Sequence, residues 1–183
     1  MSIINTSAPG NEFLIKLGAR GNLSFGVENW DEVFNGKLRQ ILISHGDAIN
    51  SIQVSYSTTP GERLVLAHKH GGDGDEFDCV NLESWESLTM VKGYYGPVRR
   101  NDPSVVRSLT FGTNGATYGP FGTEEGIPFC FHIPSGVSFG GFHGCSDGRY
   151  LHAIGIYIKS TARHHLGPKP ERVYFGRSVH SVE

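Results

Sequence analysis

Several groups of residues have the types and spacing for chemistry. His68 and His70 are separated by one residue, so on a strand both imidazoles share a face, as two metal ligands would. No third ligand stands at a defined spacing, and the pair is expected to be structural or solvated. Cys145-Ser146-Asp147 lies between His143 and His152, which gathers a thiol, a hydroxyl, a carboxylate and imidazoles. A hydrolase would then have nucleophile and base in one small loop, an arrangement that argues against it. Asp73, Asp75 and Asp78 do not follow EF-hand spacing. Neither a P-loop nor a dinucleotide fingerprint is present. No enzymatic activity, cofactor or metal is therefore expected.

The remaining pattern is a loop that opens into a strand, and it occurs three times. Gly148–Ile158 alternates so that Ile154, Ile156 and Ile158 share one face. Gly46–Tyr56 places Ile52, Val54 and Tyr56 on the matching parity, and Val105–Phe111 does the same with Leu109 and Phe111. Three copies imply an internal three-fold repeat, with Ile52, Val54, Leu109, Phe111, Ile154 and Ile156 in one shared interior. Between these units lie glycine-rich loops at Gly18–Asn22, Gly71–Gly74 and Gly119–Gly122. Strands are also expected at Phe13–Leu17, Leu38–Ile43, Leu64–His68, Phe77–Leu82, Leu88–Val91, Ala116–Tyr118, Phe129–Ile133 and Val137–Phe142. A loop is expected through Trp30-Asp31. Residues 1–12 read as a flexible leader, 13–159 as one domain, and 160–183 as a flexible tail.

Four stretches, Ile43–Ile49, Arg107–Phe111, Tyr118–Gly122 and Leu151–Tyr157, together resemble the jacalin-related plant lectins. The resemblance runs from about Phe13 to Lys159. It implies an all-β fold, a β-prism of three four-stranded antiparallel sheets, with the last strand beside the first. It also implies mannose/glucose-type glycan binding, a homodimer and a role in plant defence or stress. In that family the sugar sits between a Gly-x-x-x-Asp loop and a facing glycine-rich loop. Here that acid is His152 in one copy and Asn50 in another, while the third copy carries Arg107 and reads as structural.

A neutral sugar is held by a carboxylate that accepts from two hydroxyls and by backbone N–H groups that donate back. Asn50 keeps an acceptor oxygen without the charge, and its facing loop keeps Gly71-Gly72. His152 changes both shape and protonation behaviour, Arg149 adds bulk, and Gly21-Asn22 narrows the facing wall. The expected ligand contacts are therefore Asp47, Ala48, Ile49, Asn50 and Gly72. The second set is Gly21, Arg149, Tyr150, Leu151 and His152, with the Tyr150 ring able to lie against a sugar. The alternative is a protein-interaction module that kept the prism and lost its sugar site.

The 183 residues include 25 glycines and carry a net charge of −2, which suits an all-β domain and gives no reason for a nucleic-acid or anionic-membrane partner. Cys79, Cys130 and Cys145 are odd in number and lack Cys-x-x-Cys spacing, so free thiols are expected. With no basic-then-apolar leader at the start and no apolar run of spanning length, the expected location is cytoplasmic, or also nuclear.

Overall fold

The computed structural model describes residues 2–5, 12–23, 27–58 and 63–161. Among them every regular element is a strand. In chain order these are β1 Ser2–Asn5, β2 Glu12–Gly21, β3 Glu28–Val33, β4 Lys37–His45, β5 Ile49–Ser57, β6 Leu64–Leu66 and β7 His70–Gly71. They continue as β8 Glu76–Asn81, β9 Leu88–Pro97, β10 Ser104–Thr113, β11 Thr117–Gly122, β12 Ile127–His132, β13 Val137–Ser146 and β14 Leu151–Thr161.

Three antiparallel sheets result. One runs β1-β2-β14-β13-β3, the second β11-β10-β9-β12, and the third β6-β5-β4-β8 with β7 also on β5. The last strand thus lies beside β2, which closes the chain on itself as expected. Two sheets exceed four strands because β1 adds an edge and because β6 and β7 are two short pieces on one neighbour. Strands β5, β10 and β14, one from each sheet, touch one another pairwise, so the sheets enclose a three-sided core. Ile52, Val54, Leu109, Phe111, Ile154 and Ile156 all lie in it. Alternation put them there: a one-residue slip would have turned each set outward.

Four sequence expectations are corrected. The segment through Trp30-Asp31 is not a loop but β3, paired with β13 from Gly141↔Val33 to Ser146↔Glu28. Its alternation is hard to see because only Trp30 of its six side chains is buried. Gly18–Gly21 and Gly119–Gly122 belong to β2 and β11 rather than to loops. Part of the supposed leader, Ser2–Asn5, is a strand paired with Phe13–Lys16. Strand β14 extends through Thr161, past the expected domain limit. The remainder of the leader at 6–11 and the tail at 162–183 lie outside the described residues.

Candidate functional site

Strands β4, β9 and β13 each turn into their partners β5, β10 and β14 at one end of the prism. Three backbone hydrogen bonds repeat there: Asn22 N–H to His152 O at 3.0 Å, Gly72 N–H to Asn50 O at 3.0 Å, and Thr123 N–H to Arg107 O at 2.9 Å. Gly21, Gly71 and Gly122 precede or make these contacts with positive φ, and a Cβ on any of them would lie 2.0–2.3 Å from the same carbonyl oxygens. Only glycine lets the two backbones approach so closely. His152, Asn50 and Arg107 are therefore equivalent positions, and each expected pair of facing loops does meet.

Their side chains do different things. Asn50 Nδ2 donates to the Arg149 carbonyl at 3.0 Å, and Arg107 Nε donates to the Asp47 carbonyl at 3.0 Å. Each reaches from its own repeat into the turn of the next. Arg107 also donates to Pro97 O at 2.7 Å and to Glu125 Oε2 at 3.1 Å. These two side chains fasten the end of the prism. His152 leaves this pattern: its Nε2 lies 2.7 Å from Asp147 Oδ2, within its own loop.

The residues expected to contact sugar at the Gly46–Asn50 loop are largely buried or committed within the fold. Asn50 is only 8% exposed and its amide is committed to Arg149; Ala48 and Ile49 are 1% and 0% exposed. Asp47 is exposed, but its carbonyl is held by Arg107. Gly72 does not line an open cleft, since a Cβ there would meet Gly148 O at 2.3 Å and Arg149 Cα at 2.8 Å. It is pressed against the other loop and supports it.

The Gly148–His152 loop is organised around Asp147, which the sequence suggested only as part of a hydrolytic group. Asp147 Oδ1 accepts from the N–H groups of Arg149 and Tyr150, both at 2.7 Å, while Oδ2 faces His152. Aspartate commonly binds backbone two or three residues ahead in such turns, and that signal was available at Asp147. The Asp147 side chain is 39% exposed, whereas that of His152 is buried at 8%. Leu151 is buried and Tyr150 half-buried; Arg149 is exposed, with its guanidinium 4.9 Å from the Tyr150 ring centre. That ring face is thus already covered. Gly21 and Asn22 form the adjoining rim through the Asn22–His152 hydrogen bond.

Burial opposes ionisation of Asp147, but hydrogen bonds from Tyr150 N–H, His152 and Arg149 N–H outweigh it and hold the carboxyl below the usual range. A depressed folded value stabilises the loop above the unfolded value and is lost as pH falls through the folded one. The Arg149 and Tyr150 amide resonances should therefore titrate with a midpoint below the ordinary aspartate value of about 3.9. A midpoint at or above that value would contradict the loop structure.

No hydrolytic set assembles here. The letters Gly-x-Ser-x-Gly occur at Gly144–Gly148, but the elbow requires a strand-to-helix turn, and here β13 turns into β14. Ser146 is buried in β13, Cys145 Sγ donates to Asn22 O at 3.2 Å, and His143 Nε2 faces Leu17 O at 2.7 Å. Burial pushes the Cys145 thiol up, away from the thiolate form. Elsewhere at this end, His45 stands with Asp78 Oδ2 2.8 Å from Nε2 and Glu76 Oε2 3.9 Å from Nδ1, a grouping of metal-ligand types.

Residues 17–157 match the model of the jacalin-like lectin domain. The chain belongs to that lectin family. The agglutinin of Castanea crenata is 42% identical over 138 residues, which are 73% of this chain and 44% of that protein. The lectin-family chain thus spans less than half of that relative. The protein RESTRICTED TEV MOVEMENT 1 of Arabidopsis thaliana is 38% identical over 149 residues, 78% of this chain and 84% of the relative. The structure of a mannose-specific jacalin-related lectin from Morus nigra in complex with mannose superposes with a TM-score of 0.71 at 33% identity, covering 85% of this chain and 98% of that one. The three-sheet architecture is therefore the β-prism of the jacalin-related lectins.

Proposed function

We propose that the chain is a non-enzymatic, carbohydrate-binding lectin for mannose- or glucose-type glycans, and that the ligand docks on Asp147, Arg149 and Tyr150 with Gly21-Asn22 as rim. The observation that carries this reading is the partly exposed carboxylate of Asp147 at the mouth of the loop whose usual acid is replaced by His152. Three donors hold that carboxylate ionised and oriented, and its exposed edge is free to accept from sugar hydroxyls. The charged acceptor lost at position 152 is thus supplied five residues earlier. The mannose specificity of the Morus nigra lectin supports this substrate class. A homodimer, a cytoplasmic or nuclear location and a defence role belong to the same proposal.

A second reading, a protein-interaction module, draws on the same geometry: the Arg149 and Tyr150 amides already have an acceptor in Asp147. Calorimetric titration with a mannose-type oligosaccharide separates the two. A charged hydrogen bond of about 1.5–3 kcal/mol corresponds to roughly 10- to 150-fold in affinity, so Asp147→Ala should weaken binding by that factor. Asn50→Asp should give no gain, because its new carboxylate would face the Arg149 carbonyl. Tighter binding by Asp147→Ala would identify the carboxylate as a plug and favour the second reading.

A further inference from the structure

His45 closes β4 beside the Gly46–Asn50 turn, and its strand pairs with β8 in the register His45↔Glu76 and Ile43↔Asp78. Opposed residues of two strands share a face, and so do residues two apart on one strand. Both carboxylates therefore flank the imidazole. We propose that His45, Glu76 and Asp78 form a binding site for a divalent transition-metal ion, with Zn²⁺ and Mn²⁺ the best suited.

The ligand atoms are already gathered. One ring nitrogen of His45 and one oxygen from each carboxylate all lie within 4.8 Å of one another. Asp78 Oδ2 is 2.8 Å from Nε2, and Glu76 Oε2 is 3.9 Å from Nδ1. Ligands about 2.0–2.2 Å from a tetrahedral ion stand roughly 3.3–3.6 Å apart, so closure needs side-chain shifts of about 1 Å.

The three residues divide into one anchor and two arms. The His45 side chain is only 7% exposed, and its ring packs 5.7 Å from that of Phe121, centre to centre. Packing thus fixes the imidazole. Glu76 and Asp78 are 69% and 50% exposed, so both can rotate onto an ion that arrives from solvent while their backbones stay in the ladder.

Donor chemistry selects the ion. An imidazole nitrogen favours borderline cations over Ca²⁺ and Mg²⁺, which prefer all-oxygen shells, and carboxylates suit Mn²⁺ as well as Zn²⁺. A neutral imidazole has a single N–H and can donate to only one of the two carboxylates it faces. A divalent ion accepts from all three groups at once, matches the charge of the two carboxylates and leaves a further position to solvent. Asp75 reinforces the negative field: a Cβ at Gly46, next to His45, would lie 3.4 Å from its Oδ2.

Calorimetry of the full-length chain should show Zn²⁺ binding that Ca²⁺ does not reproduce. Glu76→Gln and Asp78→Asn change exposed side chains and should both fold, and each should weaken Zn²⁺ binding at least about tenfold, as loss of a ligand requires. Mn²⁺ locates the site independently of affinity. In the ¹⁵N-labelled chain its unpaired electrons should broaden the amide resonances of His45, Gly46, Glu76 and Phe77 before those of Lys37, Leu88 and Val137, at the opposite ends of their strands. Failure to bind Zn²⁺ at millimolar concentration would overturn the proposal, as would undiminished binding by both variants. Broadening centred instead on the His164-His165 pair would place the ion there and overturn it too.

Discussion

Arg107→Met should lower stability by about 3 kcal/mol, a Tm loss of roughly 6–12 °C for a chain of this size. Arg107 is buried, and its guanidinium donates to Asp47 O, Pro97 O and Glu125 Oε2, joining two turns at the loop-bearing end. Methionine fills a similar volume but leaves those acceptors without a donor. Arg107→Lys should recover little of the loss, because one ammonium on a flexible stem cannot match a planar fork aimed at three oxygens. Glycan affinity per folded molecule should persist in both variants, since neither touches Asp147. Thermal denaturation showing a Tm change under about 2 °C would correspond to less than 1 kcal/mol and would remove Arg107 from its fastening role.

The second large effect lies in the core. Phe111 is fully buried where the sheets meet, with ring centres 6.3 Å from Phe121 and 6.2 Å from Phe142, the latter edge-on. Truncation removes the apolar surface and leaves a void that rigid strands from three sheets cannot collapse to fill. Phe111→Ala should cost about 3–5 kcal/mol. Phe111→Leu should cost distinctly less, because it retains most of the volume. Denaturant unfolding of both variants measures this; equal and small losses would mean that Phe111 is not the keystone of the shared core.

The repeat and its interior were legible because a period of two is local information. Ile52, Val54, Leu109, Phe111, Ile154 and Ile156 announce their face within five or six residues of chain, and all six lie in the core. Strand β3 was not legible, because Glu28, Asn29, Asp31 and Glu32 outnumber its apolar residues and its pairing comes from β13, more than a hundred positions away. Gly18–Gly21 and Gly119–Gly122 misled for a related reason. Gly21, Gly119 and Gly122 serve close approach between neighbouring strands as well as turning. At the candidate site the same division holds. The facing pairs of loops were recoverable from the repeat, but the fate of Asn50 was not, since its partner Arg149 is 99 residues downstream. Asp147 was the missed residue, although its partners Arg149, Tyr150 and His152 all lie within five positions. Glu32, which pairs with His70, again comes from another sheet.

The central claim is that the loop opened by Asp147, not the loop ending at Asn50, receives the glycan. Amide chemical-shift mapping of the ¹⁵N-labelled chain during titration with methyl α-mannoside tests it most directly. The largest shifts should fall on Gly21, Asn22, Asp147, Arg149 and Tyr150, with Asp47, Ala48 and Ile49 moving little. Shifts centred instead on Asp47–Asn50 would contradict it.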